Sequence, residues 1–535
     1  MTGYLEDASF NQSPAFGDVN LFSADRPLAE AAARSGLDIA SLTQAGREYG
    51  SAETLDLGRV ANENPPRLRT VDPKGNRIDF VEFHPAYHAL MRKSIAHGVH
   101  CTAHDGSTPA GPVADHSVRI YLSTQAESGH VCPLTMTHAC IGALKAEPAL
   151  LAKWRAKIVS RDYDARALPW WQKAGVTLGM GMTERQGGTD VRANITEAAP
   201  QGDHAEISGH KWFMSAPMCD AFLVLAQAPG GLTCYLMPRY RPDGSQNALR
   251  FQRLKDKLGN KSNASSEVEF HGAYAERVGA EGAGVRTIIE MVNLTRLDCA
   301  VASAGQMRFA LSQALHHIRN RSVFQKRLVD QPSMRATVAD MALELEAQVA
   351  LVFRLARAVD EGEAAYSRLL TPAIKFRACK SAPHFVYEAL ECLGGNGYTE
   401  DLPLARLFRE SPLNAIWEGS GNVMALDVLR AAGRQPDEAM ATVATLAKAA
   451  APAFDARPIV DTLGRILRSG DAERRARFLC EGLARLAAVA ALAEAGSSYA
   501  ALYAEARLGA GHLAQLGTAD LGAHESALLD RALAA

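Results

Sequence analysis

Apolar positions along this chain change their period three times. Between residues 80 and 180, Phe83, Tyr87, Leu90, Met91 and Ile95 recur at the spacing of one helix face. From about 176 to 285 the apolar runs shorten to VTLGM, AEISGHKWFM, AFLVLAQ, LTCYLMPRY and SEVEF. Turn residues such as Ala228-Pro229-Gly230-Gly231 and Pro242-Asp243-Gly244 separate them, which predicts a small β domain. Helical spacing then returns. Met334, Val338, Met341, Leu345, Val349, Val352 and Ala356 predict a helix over 334–359. Thr371-Pro372 reads as the capped start of the next one, Pro383 as a kink in it, and Gly394-Gly395 as its stop. Residues 440–535 are rich in Ala, Leu, Arg and Glu, with Pro452 and Pro458 the two prolines, and predict a compact helical bundle. Residues 1–50 are polar and mixed and read as an arm.

The expected architecture is mainly α with a central β domain. Its parts are an N-terminal arm (1–50), an N-terminal helical domain (51–178), a middle β domain (179–285), a C-terminal helical bundle (286–439) and an additional helical domain (440–535). A chain of 535 residues has room for about three or four domains. With 47% hydrophobic and 22% charged residues it is not disordered throughout. Lys+Arg is 57 and Asp+Glu 59, a net charge of −2, so the whole chain carries no argument for nucleic acid or anionic membrane. Nine cysteines run from Cys101 to Cys480 without a CxxC, which reads as reduced thiols. MTGYLEDASF has neither a basic start nor an apolar run, and no apolar run approaches the length of a bilayer span. A soluble cytoplasmic protein is expected.

Three segments carry candidate chemistry. In Gly181-Met-Thr-Glu-Arg-Gln-Gly-Gly-Thr-Asp190 a strand leads into a polar glycine-rich turn. Gly187 and Gly188 permit close approach, and Thr183 and Thr189 add hydroxyls, so the turn suits a phosphate or a cofactor edge as well as it suits an ordinary hairpin. It matches neither GxGxxG nor a P-loop. Glu391-Cys-Leu-Gly-Gly-Asn-Gly-Tyr398 has more glycine than a helix C-cap needs. In Ile416-Trp-Glu-Gly-Ser-Gly-Asn422 one carboxylate sits between a tryptophan and small residues, where it would suit a base; Ser420 or Asn422 would also cap the following helix.

Taken in order, the three segments resemble the acyl-CoA dehydrogenase flavoprotein family over about residues 80–435. The first resembles its flavin loop from Gly181 to Ala193. The second resembles its C-terminal motif, through Gly394, Gly395, Gly397, Asp401 and Arg406 to Glu410, and the third its active-site glutamate turn. Further stretches at 52–68, 209–217, 253–265 and 412–430 are similar to the branch linked to the adaptive response to DNA alkylation, which has an extra C-terminal helical domain.

The resemblance implies an N-terminal helical domain, a middle β-barrel and a C-terminal four-helix bundle holding FAD. Met182 and Thr183 would meet the flavin ring, and Gly188 and Thr189 its pyrophosphate. Phe213 stands where a tryptophan stacked near the flavin is usual, Ser215 where a hydroxyl touches it, and Trp417 is a further expected cofactor contact. Arg321 and Phe324 would reach the FAD of a neighbouring subunit, whose adenosine side would meet Gly394 and Gly395. Ser420 and Asn422 would complete the contacts. A cofactor shared between subunits implies a homotetramer.

The family's base lies either in the turn matching Trp417-Glu418-Gly419 or before a helical arginine. The second place is Thr295, before Arg296, so Glu418 is the expected base, with Arg296 steadying it. The implied substrate is an acyl-CoA thioester, short and branched, such as isovaleryl-CoA. Val323 and Glu391 depart from the family pattern, where a hydroxyl residue and a glutamine are common.

Other signals are weaker. His84 and His88 stand four apart, with His97, His100 and His104 nearby, but no full zinc spacing or HExxH accompanies them, so no metal is expected. His138 lies in a segment expected to line the site, and packing is its ordinary role. Residues 440–535 hold ten basic and ten acidic side chains, so any basic patch there is local. Arg465, Arg468, Arg474, Arg475, Arg477 and Arg485 outnumber Asp471, Glu473 and Glu481. That row suits non-specific double-stranded DNA, or else intrahelical pairs of Asp471 with Arg475 and Glu473 with Arg477.

Overall fold

The computed structural model describes residues 10–533. The chain divides into two compact units. One takes both ends, up to Ala52 and from Cys299 onward; the other is Glu53–Asp298. What reads as a polar arm contains two capped helices, α1 (Arg26–Arg34) and α2 (Ile39–Tyr49). Asp25 accepts the Leu28 N–H at 3.1 Å, and Asp38 accepts from Ala40 and Ser41. Leu28, Ala31 and Ala32 give α1 its buried face.

The continuous unit opens with α3 (Ala52–Glu63) and a hairpin, β1 (Arg67–Val71) with β2 (Arg77–Glu82). Four helices follow: α4 (Pro85–Ala96), α5 (Pro112–Ala126), α6 (Val131–Leu144) and α7 (Pro148–Ile158). Three of them begin on a proline, whose fixed φ suits a first turn. The β domain then runs β3 (Leu178–Gly181), β4 (Glu197–Gln201), β5 (His204–Ser215), β6 (Ala221–Ala228), β7 (Gly231–Pro238), β8 (Leu249–Leu254) and β9 (Ser265–Val278). The order β6-β4-β5-β9-β7 closes on itself through the β6–β7 ladder, while β3 lies parallel to β6 and β8 pairs β9. Ala221 to Ala226 are all buried, the pattern of a strand covered on both faces. α8 (Gly284–Asn320) runs on from the barrel.

The two-ended unit continues with a small hairpin, β10 (Ser322–Val323) and β11 (Lys326–Arg327), and the long helices α9 (Pro332–Asp360) and α10 (Ala364–Cys392). α11 (Pro403–Glu410), α12 (Gly421–Arg434), α13 (Pro436–Ala450), α14 (Arg457–Leu467), α15 (Ala476–Glu494), α16 (Ala500–Leu508) and α17 (Glu525–Ala532) complete it. α9 follows its apolar spacing. α10 does not start at Thr371: it begins at Ala364 and takes both Pro372 and Pro383 inside. Burial of Tyr366, Leu369 and Leu370 carries the helix through the proline, and the Thr371 hydroxyl donates to the Ser367 carbonyl at 2.7 Å.

A buried ion network ties α9 and α10 to α15 and α16. Arg377 meets Glu344 at 2.6 Å and Glu481 at 2.7 Å; Arg507 meets Asp340 at 2.5 Å and Glu344 at 2.9 Å. All nine cysteines are buried and free. No helix among the described residues is long and apolar enough to cross a membrane.

Candidate active site

In the continuous unit the turn after β3 is built around a buried ion pair. Lys211 on β5 donates to Glu184 at 2.7 Å, and both side chains are fully buried. Glu184 also accepts the Ile195 and Thr196 N–H groups. Burial pushes its carboxyl up, but Lys211, Thr196 and Ile195 outweigh that and hold it at about 2. Glu184 and Gly187 exchange backbone hydrogen bonds across the turn. Thr183 accepts from the Trp212 N–H through its carbonyl, and Met182 from Asn194.

The turn thereby presents Gly188 and Thr189, whose N–H groups have no partner among the described residues. A Cβ on Gly188 would stand 2.2 Å from the Thr183 hydroxyl oxygen, so the close fold of this turn requires glycine. Phe213, on the same strand as Lys211, is half exposed with the Lys255 Nζ 4.6 Å from its ring centre. Ser215 pairs with Ser265, hydroxyl to hydroxyl at 3.3 Å. Met182, Thr183, Gly188 and Thr189 thus share one turn, with Phe213 and Ser215 at the end of β5. Arg296, also in this unit on α8, is buried and reaches Asn293.

In the two-ended unit, Glu418 is half-buried in a turn with φ 57, followed by Gly419 at φ 97. A left-handed glutamate costs about 1–3 kcal/mol and persists only where its surroundings hold it. Lys375, on α10 and fully buried, does this. Its Nζ donates to the carbonyls of Trp417 and Gly419, both at 2.6 Å. Hydrogen bonds from charged donors contribute about 1.5–3 kcal/mol each, enough to offset the strain. The Trp417 indole donates to Asn414 at 2.9 Å, and Asn414 donates to Ser303. Ser420 is the N-cap residue of α12, yet its side chain makes no capping bond; Asn422 is exposed beside it.

Gly394 and Gly395 are exposed with open space where a side chain would stand. Gly397 differs: a Cβ there would meet the Leu390 carbonyl at 2.1 Å, so it serves packing. Arg321 donates to the Asn11 carbonyl at 2.6 Å. Phe324 is 88% exposed at the tip of the β10–β11 hairpin, and both it and Gln325 have positive φ. Hairpin turns of this kind favour Asn-Gly, so the Phe-Gln tip is strained.

Sequence reasoning missed Lys211, Glu184 and Lys375. The first two lie 27 residues apart. Lys375 has one legible signal, a single charge in the largely apolar segment Leu369–Phe376.

The histidines divide. His84 caps α4, accepting the Ala86 N–H. His104, His138 and His116 stack, with centroids 4.8 Å and 3.6 Å apart. His116 contacts the Val99 carbonyl and Asp298. The donor atoms of His116, His138 and Asp298 lie within 4.8 Å of one another, the spacing of a possible metal cluster. The rings of His116 and His138 are near parallel, at 17°, so their lone pairs run side by side instead of converging. Burial, with the neighbouring histidines, pushes His138 well below the usual imidazole range.

The arginine row is incomplete. Arg465, Arg468, Arg474, Arg475 and Arg477 are exposed and make no ion pair among the described residues. Residues 471–475 form turns before α15, so the expected Asp471–Arg475 and Glu473–Arg477 pairs do not form. Arg485 departs from the row: it is half-buried, bound to Glu481 at 2.8 Å and to the Arg507 carbonyl.

A glycine-rich turn on a closed β barrel and a strained glutamate turn on a helical bundle carry the residues that the sequence singles out. The chain belongs to the acyl-CoA dehydrogenase family, oxidoreductases that act on acyl-CoA. Residues 11–165 match the adaptive response protein AidB N-terminal domain, 179–273 the acyl-CoA dehydrogenase middle domain and 282–433 its C-terminal domain. The chain is 48% identical to the putative acyl-CoA dehydrogenase AidB of Escherichia coli over 434 residues, 80% of each chain. It is 34% identical to acyl-CoA dehydrogenase family member 11 of Caenorhabditis elegans, over 71% of this chain and 64% of that one. The crystal structure of Caenorhabditis elegans ACDH-11 in complex with C11-CoA superposes with a TM-score of 0.84 at 27% identity, covering 99% of this chain and 93% of that one.

Proposed function

We propose that the chain is an FAD-dependent acyl-CoA dehydrogenase in which Glu418 removes the α proton of a short branched acyl thioester such as isovaleryl-CoA. The observation that carries this reading is the Glu418 turn, a half-buried carboxylate held in a strained conformation by a buried lysine. The residues present fit FAD. The tight fold at Gly188, the open positions at Gly394 and Gly395 and the half-exposed ring of Phe213 are surfaces a flavin dinucleotide would cover. Met182, Thr183, Gly188, Thr189, Phe213, Ser215, Trp417, Ser420 and Asn422 would hold it, with Arg321 and Phe324 reaching the FAD of a neighbouring subunit in a homotetramer. FAD, when bound, supplies the acceptor for the β hydride.

The protein's own part is proton chemistry. An α C–H is a far weaker acid than a carboxylic acid, so Glu418 alone cannot ionise it. Donors on the thioester oxygen must carry the enolate charge. The backbone N–H of Glu418 is the chain's expected donor, and Arg296 steadies the base. The nematode neighbour bound to C11-CoA supports an acyl-CoA ligand and makes a longer chain the competing substrate.

Anaerobic titration of the holoprotein with isovaleryl-CoA and C11-CoA tests both. Rapid bleaching that Glu418→Gln abolishes, with FAD retained, supports the reading. Unchanged bleaching in that variant refutes the choice of base.

A second reading rests on the five exposed, unpaired arginines between Arg465 and Arg477. They give a local cationic surface that suits non-specific double-stranded DNA. Replacing Arg474 and Arg475 by alanine should weaken binding and reduce its salt dependence. An unchanged salt slope sinks this assignment.

A further inference from the structure

We propose that Lys375 is a positioning residue for the reaction: by donating to the carbonyls on both sides of Glu418, it fixes the direction in which that carboxylate approaches substrate. The inference rests on the reading of Glu418 as the base. The geometry points to one task. Lys375 lies inside α10, fully buried, and its Nζ spans to a turn 42 and 44 residues further along the chain. The two carbonyls it donates to belong to Trp417 and Gly419, so the residue between them is the one whose backbone is bracketed.

That residue has φ 57, which a glutamate adopts only under constraint, and Gly419 at φ 97 completes the reversal. Carbonyl dipoles converging on one point repel each other unless a donor sits between them. Remove the Nζ, and the turn loses the group that makes its conformation favourable. Further anchors surround it: the Trp417 indole on Asn414, and Asn414 on Ser303. Those hold residues 414–417 from one side. Lys375 holds both flanks of Glu418.

Lys375→Met keeps the length and apolar stem of the side chain and removes its donors. Hydrogen exchange of the segment spanning 416–420 should rise about tenfold or more in the flavin-loaded variant. The first-order rate of flavin reduction by acyl-CoA should fall about 10²-fold, as for a reacting group displaced by about 1 Å. The apparent Kd for acyl-CoA and the FAD content should stay near wild type. Lys375→Arg keeps a donor in place and should recover part of the rate. A residue of packing importance alone would lower the melting temperature and FAD content without changing the reduction rate per bound flavin.

Unchanged exchange at 416–420 in Lys375→Met overturns the proposal, whatever the activity. So does an unchanged reduction rate where Glu418→Gln abolishes reduction. Should Lys375→Met not fold, Lys375→Arg decides by the same measurements: exchange loosened at 416–420 together with a lowered reduction rate supports the proposal, and loosened exchange with a wild-type rate, or no change in either, refutes it. If Glu418→Gln reduces flavin normally, the choice of base has failed, and the exchange result still stands or falls separately.

Discussion

Replacing Arg507 by methionine should destabilise the two-ended unit by about 3–5 kcal/mol at neutral pH, the usual cost of breaking a buried ion pair from one side. Arg507 is 6% exposed, and its guanidinium meets two carboxylates, Asp340 at 2.5 Å and Glu344 at 2.9 Å. Asp340 would keep the Gly517 N–H, and Glu344 would keep Arg377 and Gln348. The structure also sets the pH dependence. Burial pushes the Glu344 carboxyl up, but Arg377 and Arg507 outweigh it and hold it at about 2, against 4.5 for a free side chain. A carboxyl depressed by that much contributes about 3 kcal/mol. The contribution is fully present above pH 4.5 and is lost as pH falls toward 2. The gap between wild type and variant should therefore be widest near pH 7 and narrow below pH 4. Urea unfolding followed by far-UV circular dichroism, run at both pH values, measures it. A loss under about 1 kcal/mol at pH 7, or a gap that does not narrow in acid, would refute the account of the network.

Two further outcomes follow from other buried charges. Lys211→Met leaves Glu184 buried without its cation, so the variant should lose about 3–5 kcal/mol and release flavin on gel filtration; a holoprotein with wild-type melting temperature would contradict this. Burial pushes His100 and His104 down to about 4, so both rings are neutral at pH 7. Their share of stability is full above about 6.5 and lost as pH falls through 4, so the melting temperature should drop across that window, and less steeply in His104→Asn. A flat profile there would show that these imidazoles are not held neutral.

The fold was legible where periodicity and burial agree. The strand-like runs from VTLGM to SEVEF all became strands, and the predicted stripe from Val338 to Ala356 became the core face of α9. It was illegible where tertiary burial overrides a local signal, as at Thr371-Pro372, a good helix start lying inside α10. α1 and α2 hid in a polar stretch because short amphipathic helices bury few residues. At the candidate site the glycines and Glu418 stand in recognisable strings. Their supports do not: Glu184, in the turn after β3, and Lys211, on β5, meet only once the barrel has formed, and Lys375 meets the Glu418 turn only once α10 and the turn have packed. A chain read in order shows the groups that touch a ligand sooner than the groups that hold them. Arg485 shows the reverse error, a charge that fits a surface row in sequence and is spent on Glu481 and a backbone carbonyl.

The split of the chain into an interrupted unit and a continuous one imposes an order in time. Glu53–Asp298 emerges from the ribosome as an unbroken stretch and can close its barrel while synthesis continues. α1 and α2 are made first but must wait for their partners. Glu30 on α1 pairs with Arg531 on α17, and Asp25 with Arg308 on α8. At about 5–20 residues per second, the wait from α1 to α17 is roughly half a minute to two minutes, and the buried face of α1 at Leu28, Ala31 and Ala32 lacks first its α9 and then its α17 neighbour for much of it. Helices made before the continuous unit are thus completed only after it, and that interval is when a chaperone holding the α1–α2 segment would matter most.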